Sequence, residues 1–260
     1  MIQQNHRSKR GKGAVLTGIG TAESTTVAEP RLAASVILVR DAAGRGSSEG
    51  AARPAGAANG LEVFVQHRVS TMDFAAGMVV FPGGRVDTVD STGWDFADDV
   101  VERHAAAWHL SSIAVEPLTA RHNAGRVLAA AQREVFEEAG LKLDAATLRP
   151  WANWVTPEDQ PKRFDTYFYL ACPVSGAEPK HQTTEASSSL WMPVRGILEA
   201  ESAGTLRLMP PTLVLLDELL ALGTMEAVLA GEREIIPVRP QPGALQEFFR
   251  NRRQPPSLAP

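Results

Sequence analysis

Three glutamates, Glu134, Glu137 and Glu138, stand at i, i+3 and i+4 within the run Arg133-Glu134-Val135-Phe136-Glu137-Glu138-Ala139-Gly140-Leu141. On a helix that spacing makes their side chains neighbours on one side of a turn. Like charges so placed repel by roughly 0.2–0.5 kcal/mol per pair, and only Arg133, four residues before Glu137, relieves them. A concentrated set of carboxylate oxygens suits a hard divalent cation such as Mg2+ or Mn2+, with substrate phosphates completing its coordination. A lone Glu-Glu pair would more simply be a solvated helix face, but an upstream segment tips the balance. There the apolar run 78–81 leads into Phe81-Pro82-Gly83-Gly84-Arg85-Val86-Asp87-Thr88-Val89-Asp90. Two glycines after such a run mark a strand ending in a tight loop where backbone approaches a ligand closely.

Together these segments resemble the Nudix box, G-x5-E-x7-R-E-U-x-E-E-x-G-U with U apolar. Gly84 takes the opening glycine and residues 133–141 fill the second half without a mismatch. Asp90 stands for the loop glutamate, and the stretch from Asp90 to Arg133 is far longer than that pattern's x7. A long insert opened by F-P-G-G-x-x-D-x-x-D-x-x-x-W, here residues 81–94, is similar to a branch of acyl-coenzyme A diphosphatases that is peroxisomal in animals. Asn153-Trp154-Val155-Thr156-Pro157 and Arg163-Phe164-Asp165-Thr166 resemble two further patterns of that branch. Its coenzyme A signature, R-(S/A)-x3-R-x3-G-x3-F-P-G-G, is met at Arg68, Gly77 and 81–84, while Val69 and Asp73 replace its small residue and second arginine. An anion for a cation beside a phosphate-bearing ligand is not a neutral exchange.

The resemblance spans about residues 31–222 and implies an α/β fold, a Nudix-type α/β/α sandwich with a mixed sheet and a helical insertion inside the box. It implies a Mg2+- or Mn2+-dependent hydrolase that splits a pyrophosphate bond in a nucleoside-diphosphate-linked substrate. Coenzyme A or an acyl-coenzyme A is the first substrate to consider, NADH, ADP-ribose or another dinucleotide the alternative. A non-catalytic, nucleotide-binding regulatory module is a third reading, against which all three helix glutamates stand. By the same resemblance Glu134, Glu137 and Glu138 are the metal ligands, a backbone oxygen of Gly83 or Gly84 joins them, and Arg133 orients the cluster. Glu185 is the candidate general base, and Asp90 an outer or structural carboxylate. Arg68 and Arg163 are the cations expected near phosphates, Gly83 a point of close substrate approach, and Trp154 with Phe164 a surface for a base or an acyl-pantetheine arm. The insert, tethered at both ends to the box, is expected to wall the site.

At 260 residues, 44% hydrophobic and 22% charged, the chain can bury a full core. A net charge of −4 provides no broad footprint for nucleic acid. Cys172, the lone cysteine, excludes an internal disulfide and fits a reducing, cytoplasmic setting; within 167–172 it reads as a buried strand residue. No apolar run is long enough to span a bilayer. The expected partner is a small nucleotide-type molecule, with a homodimer possible.

The domain is expected over 30–240, with the insert at about 91–122, a disordered tail over 1–29 and a second tail over 241–260. Strands are predicted at 32–40, 61–66, 78–81, 151–156, 163–172 and 189–192, the first two as a hairpin with an overlong, change-tolerant loop at 41–60. Helices are predicted at 95–110, 193–203 and 212–222, with the main helix capped by Asn123 and ended by a left-handed Gly140. Its apolar stripe is Leu128, Ala131, Val135 and Ala139. Residues 235–238 read as an extended piece. His104, His109 and His122 lack the i, i+4 spacing of a zinc helix and read as scattered surface residues.

Overall fold

The computed structural model describes residues 27–42, 60–69, 75–174 and 177–253. The expectations for residues 1–26, for most of the 41–60 loop and for Asp73 lie outside them. Strand β1 (Arg31–Asp41) is the centre of the molecule, because its run of Val36, Ile37, Leu38 and Val39 is apolar on both faces and wholly buried. It pairs in parallel with β6 (Phe164–Ala171) and antiparallel with β2 (Leu61–Arg68) and with the short β4 (Gly83–Arg85). Strand β3 (Val79–Val80) and β7 (Ala186–Pro193) flank β2, and β5 (Arg149–Val155) flanks β6, giving, among the described residues, a mixed, seven-stranded sheet. The expected hairpin of the first two strands is present.

Alternation along β1 feeds two cores. Val36 and Leu38 pack under α2 (Pro117–Ala139) with Val127, Leu128, Ala131 and Val135. Ile37 and Val39 pack under α3 (Val194–Ser202), α4 (Pro210–Leu222) and α5 (Met225–Ala230) with Ile197, Leu215, Leu216 and Val228. One side-chain period thus yields the α/β/α sandwich. Helix α2 starts at Pro117, not after Asn123: proline suits a first helical turn, where its missing N–H leaves no bond unmade. Gly140 ends it in the left-handed conformation (φ 64°), as expected.

The insert does not wall the site. Helix α1 (Asp98–Ala107) and the following 3-10 turn pack behind α2, and Trp108 drives into the core. Its indole N–H donates to the Tyr169 hydroxyl at 3.3 Å, and its ring meets Tyr167 and Tyr169 edge-on. His104 is wholly buried beside Tyr169, which corrects its surface reading. Burial, aided by the nearby charge of Arg103, pushes its pKa down to about 4. The unfolded chain, with a histidine near 6.5, takes up that proton first, so stability is lost as pH falls from about 6.5 toward 4. From pH 7 to pH 5 the wild type should therefore lose about 2 kcal/mol of stability relative to His104→Leu in urea unfolding, and an unchanged difference would show that the imidazole is not held neutral.

Residues 241–260, read as a tail, contribute a helix, α6 (Ala244–Arg253), whose Phe248 packs against the α3–α4 core. The extended piece before it joins the sheet through a bridge from Val238 to Trp154. Cys172 lies just past β6 and is half-buried rather than buried. No helix among the described residues is long and apolar enough to cross a membrane.

Candidate functional site

The last turns of α2 lie across β4, so the glutamate ridge meets the diglycine segment. A side chain at Gly84 would put its Cβ 2.4 Å from the Glu134 carboxylate, and one at Gly83 would lie 2.4 Å from the Ala34 carbonyl of β1. Gly83, at φ 154° and against backbone, has no room for another residue, whereas a side chain at Gly84 would have to displace the Glu134 carboxylate. The segment expected as a loop is itself a strand, held by Val36 N–H and Ser35 Oγ–H donating to the Pro82 carbonyl. Glu138, 6% exposed, accepts at one oxygen, Oε2, from Gly83 N–H (2.8 Å) and from Gln66 Nε2 (3.0 Å). Burial pushes its carboxyl up to about 7 and also raises that of Glu134.

Arg133 ties the box together. Its Nε and Nη2 grip both oxygens of Asp90 at 2.9 Å, Nη2 also reaches the Arg85 carbonyl, and Nη1 bonds Glu134 (2.9 Å) and Glu137 (3.2 Å). Asp90 is 3% exposed and shares a capping box with Asp87, so the base of the long insert is closed by a buried bidentate pair. The Asp90 hydrogen bonds hold the guanidinium protonated well above its usual range.

Beside the ridge opens a cavity of about 1180 Å3, lined by Glu134, Glu137, Arg133, Gly83 and Gly84. Arg68 and Glu185 also line it, joined by an ion pair at 3.1 Å, as do Trp154 and Arg163. The structure therefore gathers ten of the twelve candidates, Phe164 included, on one cavity, with Glu138 immediately behind it and Asp90 held beneath Arg133. Arg163 is already engaged there: Nε donates to the Thr156 carbonyl and Nη1 to that of Ala28, so it fastens the cavity wall.

The two motifs on β5 and β6 serve opposite faces. Trp154 pairs with Thr166, and both line the cavity with Phe164 and Phe168. The alternate residues Asn153 and Asp165 point the other way. There Asn153 Nδ2 and Ser112 Oγ each donate to Asp165, at 2.6 and 2.5 Å, coupling the insert to the sheet. Sequence reading missed Gln66, whose only signal is a polar residue inside an apolar strand. It also missed Leu245 and Phe248 of α6, which line the cavity.

The donor chemistry suits a hard divalent cation. Glu134 and Glu137 offer carboxylate oxygens to the cavity, and burial, which raises the carboxyls of Glu134 and Glu138, is a cost that a bound cation would offset. They do not form a finished cage: among the described residues no three His, Cys, Asp or Glu side chains converge as a metal-binding group.

A family model described as the NUDIX domain matches residues 116–210. No curated protein matches the sequence. Among solved structures, a NUDIX hydrolase from Alicyclobacillus acidocaldarius is similar, at 24% identity over 79% of this chain and 98% of that one, with a TM-score of 0.57. More distant likenesses are the NUDIX domain of Shewanella oneidensis NrtR solved with ADP ribose (14% identity, 76% and 92% covered, TM-score 0.40) and a C. elegans Ap4A hydrolase (15%, 74% and 96%, 0.41). A ridge of glutamates against a diglycine strand, a mixed sheet between two helical layers and the likeness to the Alicyclobacillus acidocaldarius structure agree: the chain carries a NUDIX domain match and has the Nudix fold.

Proposed function

We propose that this protein is a Mg2+- or Mn2+-dependent hydrolase of a pyrophosphate bond in a nucleoside-diphosphate-linked substrate, with coenzyme A or an acyl-coenzyme A first among candidates. The observation that carries the reading is Glu134 pressed against Gly84 at the mouth of a cavity that also holds Glu137, Arg68 and Glu185. Glu134, Glu137 and the Gly84 carbonyl would hold the cation. Glu138 joins them through a carboxylate already positioned by Gly83 and Gln66. When bound, the cation neutralises phosphate charge and lowers the pKa of a water. Arg133 fixes the spacing of the carboxylates, and the Arg68 guanidinium stabilises a phosphate oxygen as charge builds on it. A Glu185 carboxylate oxygen takes the proton of the attacking water. The new bond joins that water oxygen to one phosphorus; the bridging P–O bond breaks, and its electron pair leaves on the other phosphate.

A second reading keeps the chemistry and changes the substrate to NADH, ADP-ribose or another dinucleotide. The acidic Asp73, where the coenzyme A signature has arginine, favours it. Incubating the protein with Mn2+ or Mg2+ and a panel of coenzyme A, acyl-coenzyme A, NADH and ADP-ribose, with products read by mass spectrometry, separates the two. Coenzyme A cleavage yields 3',5'-ADP and 4'-phosphopantetheine. Nucleotide binding with no turnover of any member would instead favour a regulatory module.

A further inference from the structure

The cavity is larger than its reactive end needs. At about 1180 Å3 it exceeds the roughly 300–1,000 Å3 of an ordinary small-molecule site. It runs across the sheet from the Arg68–Glu185 pair on the β2 side, past β1 and β6, to Trp154 on β5. From β1, where β4 and Glu134 sit, to β5 is two strand spacings, about 10 Å. The lining changes along that path. Around Glu134 it is charged, whereas toward β6 and β5 it adds the aromatic rings of Phe164, Phe168 and Trp154, beside Arg163 and Thr156. Helix α6, which runs from the β5–β6 loop at Asp159 toward Arg207, supplies Leu245 and Phe248, three residues apart and so on one helix face.

Helix α6 is fixed by its ends and outer face. Gly243 N–H donates to Asp159 Oδ2 at 3.0 Å, Arg252 pairs with the largely buried Glu201 while stacking on Phe248, and Arg207 lies over Phe249. These contacts leave Leu245 and Phe248 turned to the cavity. We propose that α6 is a selectivity element that closes the apolar half over Trp154 and Phe168 and takes an uncharged, extended alkyl or acyl arm of the substrate. An alkyl chain leaves water against Leu245, Phe248, Trp154 and Phe168 with no hydrogen bond of its own left unmade. The link to catalysis rests on the hydrolase reading; the binding site itself does not.

The test measures binding and turnover separately on the full-length protein. S-Decanoyl-pantetheine, which has an alkyl chain and no phosphate, is titrated by calorimetry into the wild type, Phe248→Leu and Phe248→Asp. Binding to the wild type, weakening of at least about 10-fold in Phe248→Asp, and near-complete rescue by Phe248→Leu are expected. Leu245→Asn, on the same face, replaces Phe248→Asp if circular dichroism shows that variant misfolded. Absence of binding to the wild type, or undiminished binding to a folded polar variant, overturns the proposal. In parallel, the wild type's KM for acyl-coenzyme A should fall as the acyl chain lengthens, with a smaller change in kcat. Turnover with a KM indifferent to chain length overturns the α6 site and leaves the hydrolase reading standing. Chain binding without any pyrophosphate cleavage supports the α6 site and rejects the hydrolase reading.

Discussion

Glu138→Gln lowers kcat by on the order of 10³-fold or more while the protein stays folded. The substitution isolates charge from shape. One oxygen of Glu138 accepts both structural hydrogen bonds, from Gly83 N–H and Gln66 Nε2, and a glutamine carbonyl can accept the same two. Strand β4 and its fit against Glu134 should therefore survive, which circular dichroism and an unfolding midpoint near wild type would confirm. What disappears is a negative charge from a site proposed to hold a divalent cation against a pyrophosphate. Cation affinity, followed by Mn2+ titration, should fall together with turnover. Near-normal kcat in the folded variant would refute the role given to this carboxylate. Glu137 makes a useful contrast: its side chain is 55% exposed and pairs with the shared Arg133, so its replacement disturbs less of the local frame.

Arg133→Met is expected to remove about 3–5 kcal/mol of stability, because truncating one partner of a buried ion pair leaves the other uncompensated. Asp90 would be stranded at 3% exposure with both oxygens deprived of the guanidinium, and Glu134 and Glu137 would lose the cation between them. Arg133→Lys should recover only part of the loss, since an ammonium cannot bridge both Asp90 oxygens and two glutamates at once. Urea unfolding of the three proteins at one pH measures the series. A loss below about 1 kcal/mol in Arg133→Met would mean that the pair does not hold the base of the insert.

Local features were legible in the sequence and distant closures were not. The i, i+3, i+4 ridge, the stripe of Leu128, Ala131, Val135 and Ala139, and the left-handed Gly140 each depend on a few consecutive residues, and each stands as read. The Asp90–Arg133 pair joins positions 43 apart, and nothing within either segment specifies that contact. The start of α2 was open to reading, since proline favours a first helical turn; Asn123 competed as a cap and is instead inside the helix. His104 looked like a surface residue because its burial comes from Tyr169, on a strand far along the chain. Helix α6 was hidden by its composition. Gln246, Glu247, Arg250 and Arg252 suggest a solvated end, and only the cavity and the α3–α4 core give Leu245 and Phe248 a place to be buried.

The opposed faces of β5 and β6 carry a consequence for how such chains diversify. Asn153 and Asp165 join the sheet to the insert, while their immediate neighbours Trp154 and Thr166 line the cavity. Drift at one member of each couple alters how much folded protein a cell accumulates; drift at the next reshapes the cavity alone. Relatives can thus exchange substrates through side chains that the scaffold does not rely on, provided the letters in between stay put.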